Sequence, residues 1–185
     1  DYLQVTGSAD IDIFGFVSVT GSFGVEKETG QDLYISGTGP ANTQVTDANL
    51  LTIGLADVSA FIGFGGIGLQ LEDVDLAIAL WTENVETNPR SWTTVKANVG
   101  SASFEGVDGL TLAVTDVGIV VNKENATDHT VVDYKLGAGE TAGTATDLTV
   151  AVGATQTVTF DIDDANGDYL QVTGSAEIDL FGFVE

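Results

Sequence analysis

Four carboxylates crowd one short stretch of this chain: Asp161, Asp163, Asp164 and Asp168, set around the turn-forming pair Asn166-Gly167. Ca²⁺ takes several oxygen ligands from tight acidic loops, so these four residues are where calcium would bind, and calcium is the one cofactor the sequence points to. The spacing departs from the helix–loop–helix calcium motif, which needs an acid where Ile162 stands. A solvated hairpin tip accounts for the same residues and is the simpler reading. Asp10 and Asp12 share one face of an alternating segment, as do Glu177 and Asp179. Two carboxylates can serve as general acid and base, but no His, Lys or Arg lies beside either pair in the sequence, which favours a polar strand face. His129, the single histidine, has Asp128 and Asp133 nearby. A catalytic triad also needs a nucleophile on a strained turn, and no Gly-x-Ser-x-Gly pattern exists, so a surface loop histidine is expected.

Other motifs fall short in the same way. Gly65-Gly66-Ile67-Gly68-Leu69-Gln70 begins like a calcium-binding nonapeptide, but Gln70 stands where that motif needs Asp, and it occurs once. Trp81 and Trp92 would make a surface glycan a partner if they formed a stacking platform; packing in the core or at a sheet edge is the expected role. Asn125-Ala126-Thr127 is a formal glycosylation sequon. No constellation names a reaction, and no enzyme is expected.

Composition narrows the classes. Acidic residues number 28 against 5 basic ones, a net charge of −23 over 185 residues. Nucleic acid is therefore excluded as a natural partner, because phosphate recognition needs clustered Lys and Arg. Hydrophobic residues make up 43%, enough for a folded core despite the charge. Cys and Met are both absent, so no disulfide framework or thiolate metal site is expected; lack of both sulfur residues also suits an exposed, oxidising location. No signal peptide is visible, and none is expected in a chain that starts inside a repeat. The longest apolar run, Ala60–Leu71, carries four glycines and is too short to cross a bilayer as a helix.

The organising feature is a repeat. Residues 1–18 (DYLQVTGSADIDIFGFVS) recur at 168–185 (DYLQVTGSAEIDLFGFVE), with 15 of 18 positions identical. The chain therefore reads as one 167-residue unit, 1–167, followed by the start of the next, 168–185. A fainter echo relates SFGVEKE (22–28) to VGIVVNKE (117–124) and DYLQVTGSA to SWTTVKANV, which divides the unit into two related β modules, about 1–85 and 86–167.

The elements that must position all these residues are strands. Leu3, Val5, Ala9, Ile11, Ile13, Val17, Val19, Phe23 and Val25 are all odd-numbered, with polar residues between them, the signature of half-buried β structure. Phe14 and Phe16 break the alternation and imply a second apolar contact; Gly7, Gly15 and Gly21 read as bends or bulges. Further along, the apolar parity flips at Ala56-Asp57, Gly65-Gly66, Glu72-Asp73 and Thr115-Asp116, as two-residue hairpin loops would make it do. Three-residue loops are expected at Glu28-Thr29-Gly30 (pairing Val25 with Leu33), at Gly153-Ala154-Thr155 (pairing Val150 with Val158) and at Ala165-Asn166-Gly167 (pairing Ile162 with Leu170 and Phe160 with Val172). Val74–Val85 also fits helical spacing, but strand is favoured, ending at Asn88-Pro89. The expected fold is all-β: an antiparallel meander of hairpins in an elongated tandem-repeat array, as a sandwich, barrel or coiled tube, with a parallel β-solenoid as the alternative. On the expected Ala165–Gly167 hairpin, Tyr2–Val5 has lost its partner and is either an exposed edge or paired by a neighbouring molecule.

The near-identical repeat, the acidic cysteine-free β texture and phrases such as FVSVTGSFGVEK and VDGLTLAVTDVGIVVNKE resemble the repeat regions of giant bacterial surface or secreted, adhesin-like proteins. That resemblance implies an extracellular or cell-surface stalk, fibre or sheath whose partners are copies of itself. Two alternatives remain: a calcium-dependent or carbohydrate-binding adhesin domain, and a β-groove for an apolar ligand such as a lipid, motivated by Ala60–Leu71.

Overall fold

The computed structural model describes residues 1–13, 15–36, 43–125, 127–136 and 145–181. Its strands are β1 (Tyr2–Ile13), β2 (Val17–Ile35), β3 (Thr43–Phe64), β4 (Ile67–Glu83), β5 (Ser91–Glu105), β6 (Leu110–Lys123), β7 (Thr149–Ala151), β8 (Thr157–Thr159) and β9 (Tyr169–Leu180), with one 3₁₀ turn at Asp164–Asn166. Seven of them form a single sheet in the order β1-β2-β3-β4-β5-β6-β9, and β7 pairs with β8 apart from it. Every ladder is antiparallel, so the fold is the expected all-β meander and not a parallel solenoid. The sheet stays open and does not close into a barrel. No helix among the described residues is long and apolar enough to cross a membrane.

The strands are longer than the parity pattern implied. β3 alone has 22 residues, about 70 Å of extended chain. Gly65-Gly66 is a hairpin turn as expected, joining Phe64 to Ile67 with both glycines at positive φ (64° and 83°), which two-residue hairpin loops of this kind require. The Val74–Val85 segment is strand through Glu83. Val150 pairs with Val158 in the β7–β8 hairpin, in the expected register. Phe16 stacks on Phe64 with ring centroids 5.1 Å apart, the second apolar contact that its even-numbered position implied; Phe14 lies outside the described residues.

Four expected turns are not turns. Asp57, Asp73 and Asp116 sit inside β3, β4 and β6 at φ of 51°, 53° and 54°, at or beside register shifts. Gly30, at φ 73°, sits likewise inside β2, within the register shift between Thr29 and Gln31. These are β-bulges. An inserted residue reverses the side-chain parity downstream of it just as a two-residue loop does, so parity alone cannot separate the two. Val25 therefore pairs with Val5 and Ile53 rather than with Leu33. The bulges lie side by side across neighbouring strands, since Gly21 falls in the β2 shift beside Asp57, and Gly100 lies between Asp73 on β4 and Asp116 on β6. They form one crease across the sheet. The Ala165–Gly167 hairpin is also absent: residues 164–166 make a 3₁₀ turn, and β9 crosses to pair with β6.

One sheet face is covered by residues drawn from 127–136 and 145–163. Tyr134, Val150, Val152, Phe160 and Ile162 descend onto Leu50, Ala77, Ala79, Trp81 and Trp92, and all of these are buried. Small residues on the strands make room for this layer. The cross-strand pair Gly24–Gly54 lies directly beneath the Ala151 carbonyl, where a Cβ at Gly54 would come within 2.3 Å of the oxygen. A chain of buried polar groups links the layer to the sheet: the Tyr134 hydroxyl accepts from Trp81 Nε1 (3.1 Å) and bonds Thr94 Oγ1 (2.9 Å), while Thr94 donates to Asn122, whose amide donates to the Val132 carbonyl at 2.8 Å. The other face carries apolar residues along all seven strands, and among the described residues no layer lies over it.

Two substitutions test this packing. Gly54→Ala forces the β7–β8 hairpin off the sheet and is expected to cost about 2–3 kcal/mol by overpacking, read as a lowered urea midpoint with unchanged m-value. Tyr134→Phe strips a partner from Trp81 Nε1 in a buried site; a loss of about 1–3 kcal/mol is expected in the same assay, and no loss would show that the hydroxyl is not a structural link.

Candidate functional site

The acidic cluster forms only in part. Asp163 and Asp164 converge on Asp133, with one carboxylate oxygen from each within 4.8 Å of the others. Asp133 is buried on the inner side of the covering layer, held by the buried Val131, Val132 and Tyr134 around it. Its Oδ1 accepts from Lys135 N at 3.2 Å and Asp164 N at 3.1 Å, and Asp163 Oδ1 accepts from Ala165 N at 2.9 Å. These carboxylates brace the 3₁₀ turn, and their chemistry is that of a hard-cation ligand set. The other two expected members point elsewhere: Asp161 pairs with Lys96 at 2.7 Å and Asp168 with Lys123. Asp133 was not legible as a member, because it stands 30 residues before Asp163 and its flanking pattern reads as ordinary alternation.

The other candidates occupy structural positions. His129 is exposed and its Nδ1 lies 2.8 Å from Glu124; that bond raises the imidazole pKa. Asp12 Oδ1 accepts from Gly15 N at 3.1 Å and so caps the β1–β2 turn. Trp81 and Trp92 face each other as a cross-strand pair, 3% and 2% exposed, with both indole N–H groups bonded inside the protein. Buried rings cannot stack on a sugar, which removes the glycan platform. Arg90 lies over the Trp92 ring and bridges Glu83 (2.5 Å) and Asp128 (2.8 Å). The Arg90 bond holds the Glu83 carboxyl below its ordinary range. At Asp128 burial pushes upward, but the bonds from Arg90 and Thr130 outweigh it and the carboxyl is lowered.

The most specific geometry belongs to the repeated strand. Its two copies, β1 and β9, are the two edges of one sheet. β1 lies on β2, from Tyr2 opposite Glu28 to Ile13 opposite Val17. Tyr2–Val5 pairs with β2 on one side and lies at the exposed sheet edge on the other, one of the two expected alternatives. β9 lies on β6, from Tyr169 opposite Asn122 to Leu180 opposite Leu110. Tyr169 packs against the core, whereas its counterpart Tyr2 is 61% exposed. The Lys123 bond lowers the Asp168 carboxyl, and the Asp168 bond raises the Lys123 ammonium.

The uncovered face is the third candidate. Phe64, Ile62 and Ile67 are exposed at the Gly65-Gly66 end. A hollow of about 370 Å³ is lined there by Leu69, Ala102, Phe104, Leu112, Val114 and Ile178, and a second of about 240 Å³ by Ala9, Ile11, Val19, Phe23, Leu55 and Val58. No protein-family model matches the chain, and neither a curated protein nor a solved structure resembles it at a significant level.

Proposed function

We propose that the chain is a structural tandem-repeat module of a long extracellular protein that builds a stalk, fibre or sheath. The observation that carries this reading is that the one near-identical sequence in the chain forms both edges of its one large sheet. A catalytic or receptor domain has no need to begin and end on the same strand; an array does. The work is mechanical: each unit buries its own layer against the sheet, and stability sums over units and their interfaces. The carboxylates keep neighbouring arrays apart by charge repulsion. Six strands per unit at the usual inter-strand spacing advance the array by about 29 Å. Electron microscopy of a chain carrying several 167-residue units is expected to show unbranched fibres lengthening by about that step per unit; beads that move freely on linkers would defeat the proposal.

A second reading is favoured by the hollow at Leu69, Phe104, Leu112 and Ile178: an open β-groove holding an apolar ligand such as a lipid. Organic extraction of protein purified from its native source, followed by mass spectrometry, decides between them. The structural reading expects no stoichiometric lipid. It also expects Ca²⁺ to shift the melting temperature by no more than a few degrees. A larger shift, abolished by Asp163→Asn with Asp164→Asn, would instead mark a calcium-dependent adhesin domain.

A further inference from the structure

The two copies of the repeated strand use opposite edges. In a strand, each residue turns its N–H and C=O toward one neighbour, and the next residue turns them toward the other. In β1 the odd positions face β2: Asp1 O accepts from Thr29 N at 3.1 Å, and Ile13 O accepts from Phe16 N at 2.9 Å. In β9 the N–H of Phe181, the counterpart of Phe14, donates to Gly109 O at 2.6 Å, so the odd-numbered residues of β9, which correspond to the even-numbered residues of β1, face β6. Neither copy uses the edge that the other uses.

Side chains agree with this division. Gly7 and Gly174 are the same glycine of the repeat. A Cβ at Gly7 would meet the Phe23 ring of β2 at 3.2 Å, and one at Gly174 would meet Val117 Cγ2 at 3.1 Å, beside the β6 bulge. One glycine therefore fits the strand to β2 on one side and to β6 on the other. Asp168 pairs with Lys123 of β6, while the backbone of its counterpart Asp1 is bonded to Thr29 of β2; the two contacts do not compete. A single strand of this sequence can hold both neighbours at once.

We propose that the repeated strand is shared between copies: the free edge of Tyr2–Ile13 docks on the β6 edge of a second copy of this chain, in the register that β9 holds here. Val5 then lies opposite Ile119, Ile11 opposite Leu112 and Asp1 beside Lys123. Consecutive copies form one unbroken sheet with six strands each, and no linker separates them. This rests on the tandem-array reading and specifies its junction. In the present chain β9 already fills the β6 edge, so the 185-residue molecule caps itself.

The junction is tested by opening that edge in the full chain. Gln171→Pro with Thr173→Pro removes two N–H groups that face β6 and expels β9. The opened chain is expected to sediment as multiples of 19.1 kDa, while the parent sediments as one. Adding Gln4→Pro and Thr6→Pro, whose N–H groups face away from β2 and are tolerated on an edge, is expected to restore the single copy. In the opened chain, Val5→Cys with Ile119→Cys is expected to cross-link between molecules on oxidation, and Val5→Cys with Val114→Cys is not. An opened chain that stays single while folded, or that associates regardless of the Gln4 and Thr6 prolines, overturns the proposal. A chain of two 167-residue units followed by residues 168–185 gives a reading that does not depend on proline. Amides of both parities in its internal copy of the strand are expected to exchange on the order of a hundredfold more slowly than the outward-facing amides of the terminal copies. Protection of one parity alone means that the sheet breaks at each junction, which sinks strand sharing even if electron microscopy still shows an extended array.

Discussion

An open single sheet depends on what answers its unpaired surfaces, two edges and two faces. One face of this sheet is answered by a layer that is almost all irregular chain, which works only because the strands beneath it are stripped of bulk. Gly24 and Gly54 lie under the Ala151 carbonyl, and Ala77 and Ala79 lie under the larger residues of the layer. Irregular chain has no ladder of its own to satisfy its backbone groups. Here it borrows the end of β2 that extends past β1: Ser36 N donates to Val131 O, Asp133 N to Tyr34 O and Tyr34 N to Thr146 Oγ1. The Tyr134–Thr94–Asn122 chain of bonds does the same from β4, β5 and β6. The layer and the sheet are therefore mutually required, and neither is a core without the other.

The edges pose the other problem. Unpaired strands recruit further strands, and proteins normally blunt them. Both edges here present alternating, mostly unbroken strands of twelve residues without proline. Such edges are a hazard in a lone domain and the means of extension in the proposed array. Strand twist of roughly 20–25° per neighbour accumulates to about 120–150° over six strands, so an unbroken sheet of this kind winds as a helicoidal ribbon. The bulges at Asp57, Asp73 and Asp116, aligned through Gly100 of β5, add local bending within their strands. They keep the apolar face continuous across the shift in parity, because Leu55 and Val58 pair with Leu76 and Val74 on one side.

Strand content and most apolar faces were legible from alternation, because period two is a direct consequence of the pleat. Gly65-Gly66 and Gly153–Thr155 were legible as turns, since their residue types match the backbone that a tight turn demands. Glu72-Asp73 and Thr115-Asp116 misled for a physical reason: a bulge and a tight turn shift parity alike. The distinguishing sign was the aspartate. Asp tolerates left-handed backbone better than most residues, yet glycine is what a two-residue hairpin loop usually takes, and only Gly65-Gly66 has it. The partner of β9 was not legible because it lies across 47 residues, from Asn122 to Tyr169, and long-range pairing leaves no local trace. Asp133 escaped for the same reason. The segments of the faint echo pair in matching registers: Leu3 with Lys27 and Val5 with Val25 in one hairpin, Thr93 with Lys123 and Val95 with Val121 in the other.

Charge fixes the direction in which such a sheet can grow. Of five basic residues, Arg90, Lys96 and Lys123 join one part of the fold to another, at the β4–β5 loop, the covering layer and the β6–β9 seam. The excess of carboxylates is left to the surface, with a net charge of −23. Two sheets laid side by side, or with their covered faces together, would set these charges against each other at short range. Strand addition along the seam sets one Lys123 against one Asp1 and makes backbone bonds that charge does not oppose. Screening falls within about 10 Å at moderate salt, so lateral repulsion weakens as ionic strength rises, while the seam, held by backbone bonds and the Gly7 fit, does not. In the proposed array, an acidic surface with a cation kept at the junction would favour long ribbons over side-by-side bundles, and concentrated salt would be the condition under which ribbons begin to associate laterally.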